Sequence, residues 1–160
     1  MILRIIAVGR LREKYWQDAA ADFTRRLRPY ARLEVAEVPE AHIKETASPA
    51  EGKRAMQEEA RAILYKLKRH SGPVIALDRK GKALDSSEMS AWLQKNILEG
   101  QSEAAFVIGG PLGLAPEATQ RAGLVLSFSK MTFPHQMMRV ILLEQIYRSF
   151  QIMHHEPYHK

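Results

Sequence analysis

Short apolar runs alternate with helical periodicity along the whole chain. Segments 3–8, 33–38, 73–78, 104–109 and 124–129 are rich in Val, Ile, Leu or Phe and stop at Gly, Pro, Asp or Ser, as buried strands do. Between them the spacing of apolar positions predicts helices over about 14–28, 49–69, 86–98 and 116–122, then a long terminal one over about 135–153. Asp85 with Glu88 three residues on forms a capping-box variant, and Pro116 and Pro134 stand where a first-turn proline is tolerated. Strictly alternating strands and helices predict an α/β fold with a mostly parallel sheet covered by helices on both faces. No linker or repeat divides residues 1–160, which are expected to form a single domain; 40–48 is the one candidate mobile loop.

The terminal helix departs from the usual amphipathic pattern. Met137, Met138, Val140, Ile141, Leu142, Leu143, Ile146, Tyr147 and Phe150 cover far more than the ~100° stripe that one core contact requires. A helix apolar nearly all round is buried on two sides, and the simplest second side is another copy of the chain, giving a homodimer. Arg139, Glu144 and Arg148 are its exceptions, and Glu144 and Arg148 have the i, i+4 spacing of a helical ion pair.

In a parallel sheet the ligand sits outside the carboxyl ends of the strands. That directs attention to Gly9-Arg10 and to segments 78–82, 109–113 and 127–135. Segment 109–113, Gly-Gly-Pro-Leu-Gly, ends a buried strand in backbone that a flat ligand can approach, or else forms a tight structural turn. The G-x-G-x-x-G spacing of a dinucleotide site fails, and no Walker loop is present. Segment 127–135 closes the last strand with a polar loop and opens the terminal helix.

Composition narrows the chemistry. The chain has no cysteine, which excludes disulfides, thiolate zinc sites and a thiol nucleophile. Arg4 interrupts the apolar start and Arg139 and Glu144 interrupt the best candidate span, so a soluble cytoplasmic protein is expected. The net charge is +6 and uneven: residues 1–70 carry 15 Lys/Arg against 10 Asp/Glu, residues 71–160 carry 9 against 8. The basic half, with Arg10, Arg12, Arg25 and Arg26, is either a solvated surface or a face for a polyanion such as RNA. The tail spells H-E-x-x-H over 155–159, but Pro157 breaks the helix that a zinc site of that type needs, and no metal is expected. Tyr158, His159 and Lys160 otherwise end the chain with donors and acceptors that suit a substrate.

Leu77, the run 108–114, the run Ser129-Lys130-Met131-Thr132-Phe133-Pro134-His135 with Arg139, the run 144–148, and Pro157-Tyr158-His159 together resemble the ribosomal large subunit methyltransferase H family of the SPOUT superfamily. The resemblance covers the whole chain. It implies a trefoil-knotted α/β fold and a homodimer built through the terminal helix. It also implies methyl transfer from S-adenosylmethionine to N3 of a pseudouridine in a 23S rRNA hairpin loop within the assembled ribosome, with no DNA, membrane or metal partner. Carried onto this sequence, the family's cofactor contacts fall on Leu77, Gly109, Phe128, Ser129, Lys130, Met131, Thr132 and Phe133. Its catalytic residues fall on Glu144, Arg148, Tyr158 and His159, with the tail of one subunit completing the pocket of the other. A non-catalytic ribosome-associated RNA-binding factor is the alternative reading.

Overall fold

Alternation within each strand decides the architecture of the protein, described over residues 1–158 by a computed structural model. Five strands, β1 (Ile2–Val8), β2 (Arg32–Val38), β3 (Val74–Ala83), β4 (Glu103–Ile108) and β5 (Leu124–Ser127), form one parallel sheet in the order β2-β1-β4-β3-β5. Five helices complete the described residues: α1 (Lys14–Leu27), α2 (Pro49–Leu67), α3 (Ser86–Leu98), α4 (Pro116–Gln120) and α5 (His135–Met153). Successive strand residues point to opposite faces, so Leu3, Ile5, Ile75, Leu77, Phe106 and Ile108 build one core, shared with α1, α3 and α5. Ile6, Val8, Val74, Ala76, Ala105 and Val107 build a second core, shared with α2 and α4. A parallel sheet covered on both faces is what the near-continuous apolar runs predicted.

Local signals set the helix boundaries. The side chain of Asp85 accepts from the Glu88 backbone N–H while the Glu88 carboxylate accepts from the Asp85 N–H, both at 2.8 Å, which closes the expected capping box on α3. Ser48 and Glu51 do the same for α2, with Pro49 in its first turn. Pro116 opens α4, and Pro134 is the N-cap of α5, one position before the first helical residue.

Helix α5 answers part of the argument from its apolarity. It packs between α1 and α3 over the sheet, with Tyr30 and Phe150 rings stacked 5.5 Å apart, Phe23 against Tyr147 at 6.3 Å, and the Ser90 hydroxyl donating to the Ser149 carbonyl at 2.9 Å. Three neighbours within the chain therefore account for much of the coverage that the sequence assigned to a second copy. Met137 and Ile141 remain half-buried outside both cores.

Strand β3 runs five residues beyond its expected end. It pairs with β5 through Leu77↔Leu126, bulges, and resumes at Lys82↔Leu126. Gly81 lets the bulge lie against β5: a Cβ there would stand 2.5 Å from the Val125 carbonyl oxygen.

Because Phe106 is 1% exposed at the centre of the larger core, Phe106→Ala is expected to cost about 3–5 kcal/mol of unfolding free energy in urea titrations. Tyr65→Ala, at a side chain 74% exposed, is expected to change stability by less than about 0.5 kcal/mol.

Candidate active site

A cavity of about 390 Å³ opens at the carboxyl ends of β3, β4 and β5, within the size range of small-molecule sites. Its wall is made by Leu77 and the 78–80 part of the β3 bulge, the turn 108–114, and Phe128, Ser129, Met131, Thr132 and Phe133 after β5. Met56 of α2 and His135 and Met138 of α5 complete it. Of the residues that the sequence put forward for cofactor contact, Leu77, Gly109, Phe128, Ser129, Met131, Thr132 and Phe133 all line this cavity, whereas Lys130 does not. Gly9 and Arg10, also at a strand end, lie outside it.

The glycines are there for backbone reasons. A Cβ on Gly109 would stand 2.7 Å from the Gly113 carbonyl carbon and 2.8 Å from its oxygen, so only glycine allows the turn to close on itself. Gly113 has φ +87°, a left-handed conformation, and its N–H donates to the Gly110 carbonyl at 2.9 Å. On the opposite wall Asp78 accepts from the Lys80 N–H at 2.8 Å, and the Ser127 hydroxyl lies 3.1 Å from the carbonyls of both Arg79 and Ser129, tying the bulge to the last loop.

Buried charges brace this end of the sheet. Arg139 is 4% exposed; it pairs with Glu37 at 2.6 Å and donates to the Gly9 carbonyl at 2.9 Å, fastening the start of α5 to the ends of β1 and β2. Its Nε has no partner among the described residues. Burial pushes the His135 imidazole below its ordinary pKa, against the pull of Glu40, whose carboxylate lies 3.8 Å away. Sequence reasoning missed Glu59. It is buried on the face of α2 that also carries Ala55, Ala60, Ile63 and Leu67, accepts from the Ala41 N–H at 3.0 Å, and receives the Gly110 N–H as well. This one carboxylate joins the loop after β2 to the glycine turn. An acid at helical spacing within an apolar stripe was the legible signal.

A second cluster forms on α5. Arg148 donates to Glu144 Oε1 through Nε at 2.9 Å and through Nη2, the Tyr158 hydroxyl donates to the same oxygen at 3.3 Å, and the Arg148 guanidinium lies 4.8 Å from the centre of the Tyr158 ring. Burial and the Glu144 charge hold the Tyr158 phenol above its ordinary pKa, while bonding to Glu144 raises that of Arg148. Tyr158 reaches the cluster because the helix ends in a reversing turn. His155 takes φ 55°, its N–H donates to Ile152, and the Glu156 N–H donates to Gln151 at 2.9 Å. The Glu156 carboxylate then accepts from Tyr30 at 2.9 Å. This turn puts His155 and Glu156 beyond the helix, so the tail lacks the continuous helical face that H-E-x-x-H zinc binding needs. His159 and Lys160 lie outside the described residues.

As far as Tyr158, the tail folds back onto its own helix. The two clusters are also separate within one chain. Cavity-lining Met138 and the pair Glu144 and Arg148 are six and ten residues apart, about 9 and 15 Å along the helix axis, and neither Glu144 nor Arg148 lines the cavity.

A family model described as "Predicted SPOUT methyltransferase" matches residues 1–159. A curated relative from Carboxydothermus hydrogenoformans, named ribosomal RNA large subunit methyltransferase H, is 49% identical over 160 residues, which cover 100% of both chains. A solved structure of a Legionella pneumophila protein with bound SAM is similar at a TM-score of 0.50 and 8% identity, over 94% of this chain and 66% of that one. At that identity the likeness concerns the fold alone.

The raised pKa of Glu59, caused first by burial and then by Glu40, has a definite sign. The folded state holds the proton more tightly than the unfolded state, so stability is greatest below the unfolded value of 4.5 and is lost as pH rises through the folded value. Glu59→Gln removes this loss. Its urea midpoint relative to the unmodified protein is expected to improve from pH 4.5 upward; a difference independent of pH would show that the carboxyl is not strained by burial.

Proposed function

The chain belongs to the SPOUT methyltransferase family, and from that premise we propose that it transfers a methyl group from S-adenosylmethionine to large-subunit ribosomal RNA, acting in the cytoplasm as one domain per chain. The observation that carries this reading is the cavity at the strand ends, where the glycine turn and the loop after β5 enclose a space of cofactor size. The residues present fit that group: apolar Leu77, Ile108, Leu114 and Phe128 suit a flat base, and the glycine turn offers backbone close to it. S-adenosylmethionine supplies an electrophilic methyl carried on a sulfonium.

The finer reading, resting on family resemblance, is transfer to N3 of a pseudouridine in a 23S rRNA hairpin loop of the assembled ribosome, by a trefoil-knotted homodimer. N3 carries a proton between two carbonyls, and the charge left on its removal spreads to those oxygens. Arg148 stabilises that charge, and Glu144, which grips two guanidinium nitrogens, orients it. Tyr158, held protonated, acts as a donor, which leaves His159 or a water to accept the proton. Alignment of the nitrogen with the methyl contributes much of the rate.

Separation of the cavity from the Glu144–Arg148–Tyr158 cluster supports a composite site in which the cluster of one subunit serves the cavity of the other. Because Tyr158 lies on its own Arg148, the division between subunits falls between cavity and cluster rather than between helix and tail. This makes a definite prediction for labelled methyl transfer onto ribosomes whose 23S rRNA lacks the modification. Arg148→Ala is expected to lose about 10²–10³-fold in rate, as removal of an oxyanion donor does, and Gly109→Val is expected to be inactive. In a heterodimer of the two, one of the two sites pairs an intact cavity with an intact cluster, so about half the activity should return. No return after confirmed subunit exchange would place cavity and cluster within one chain. RNA binding without any methyl transfer by the unmodified protein would favour the non-catalytic factor.

A further inference from the structure

The cations of α1 and α2 differ in their partners. On α1 each cation is paired within the chain: Lys14 with Asp18, and Arg25 and Arg26 both with Asp22. On α2 the exposed residues Lys53, Arg54, Arg61 and Lys66, with Lys68 and Arg69 in the turn that ends the helix, take part in no ion pair among the described residues.

Arg54, Arg61, Tyr65 and Lys68 fall at i, i+7, i+11 and i+14, so they share one face of α2 and, with Arg69, form a ridge about 22 Å long. Glu58 is the one free acid on it, since Glu51 is committed to the N-terminal cap. Tyr65 stands in the middle, 74% exposed.

The helix dipole does not explain this pattern. It favours Lys66, Lys68 and Arg69 near the C-terminus but offers nothing to Lys53 and Arg54 in the second turn. The one carboxylate at helical pair spacing on this face, Glu58, stands four residues after Arg54 and three before Arg61, and pairs with neither among the described residues, unlike the carboxylates of α1. Unpaired cations at helical spacing around an exposed aromatic match a phosphate backbone with an accessible base. The ridge also leads away from the cavity, because Met56 on the same helix lines it.

We infer that the outer face of α2, and not the arginines of α1, is the surface on which the protein holds the sugar-phosphate backbone of its RNA substrate, with Tyr65 stacking on a base. This inference rests on the RNA substrate proposed above.

The test measures binding of ribosomes whose 23S rRNA lacks the methyl group, between 50 and 200 mM salt, for three proteins: unmodified, Arg54→Gln/Arg61→Gln/Lys68→Gln, and Lys14→Gln/Arg25→Gln/Arg26→Gln. All six positions are exposed, and both variants lose the same charge. Loss of three phosphate contacts is expected to flatten the slope of log affinity against log salt by about two to three units for the α2 variant and by less than about one for the α1 variant. Calorimetric affinity for S-adenosylmethionine should stay unchanged in both. Tyr65→Ala should weaken binding at every salt without altering the slope. An unchanged slope in the α2 variant, or an equal loss in the α1 variant, overturns the inference. So does tighter α2-dependent binding to phosphatidylglycerol vesicles than to RNA. A flattened slope in the α2 variant, with no methyl transfer by the unmodified protein, would sink the enzymatic reading alone, and an active unmodified enzyme with an unchanged slope in the α2 variant would sink the ridge alone.

Discussion

A parallel sheet buried on both faces has nowhere to present a ligand except at the ends of its strands. Here the odd and even positions of β1, β3 and β4 are consumed by two separate cores, so neither face of the sheet is available. Everything functional is forced into the connections. At the carboxyl end of β4 the backbone must turn beneath the neighbouring loops within a few residues, and Gly109 and Gly113 make that turn possible. The cavity follows from this constraint.

Polar groups buried at the same edge hold the loops in place. Arg139 reaches from α5 to Glu37 and the Gly9 carbonyl, and Glu59 reaches from α2 to the loop after β2 and to the glycine turn. Each lies on the apolar stripe of its helix, where a charge costs free energy unless paired and hydrogen-bonded. Their effect is that helices from opposite faces of the sheet fix one set of loops. The arrangement favours a cavity formed before ligand arrives, which reduces the ordering cost of binding.

Much of this was legible in the sequence. Element order, the α3 capping box and the strand-end location of the loops follow from periodicity and turn chemistry, which are local. The β3 bulge was not legible: 78–82 reads as a loop, and it counts as strand only because Gly81 lets it lie on β5, a neighbour distant in sequence. The breadth of the apolar surface on α5 was legible, but the share of it covered within the chain was not, since flanking by α1 and α3 is a property of topology. The path of the tail was not legible either. Pro157 signals the end of a helix, yet the direction of the chain afterwards depends on His155 adopting a left-handed conformation. The basic half was visible as a charge excess, but only the structure separates paired from unpaired cations.

The account stands or falls on the cavity. The most direct measurement is a calorimetric titration of S-adenosylmethionine into the purified protein and into Gly109→Val. The account predicts saturable binding of one molecule per chain to the unmodified protein, lost in the variant while its far-ultraviolet circular dichroism is retained. Absence of binding to the unmodified protein, or undiminished binding to a folded Gly109→Val, would contradict it.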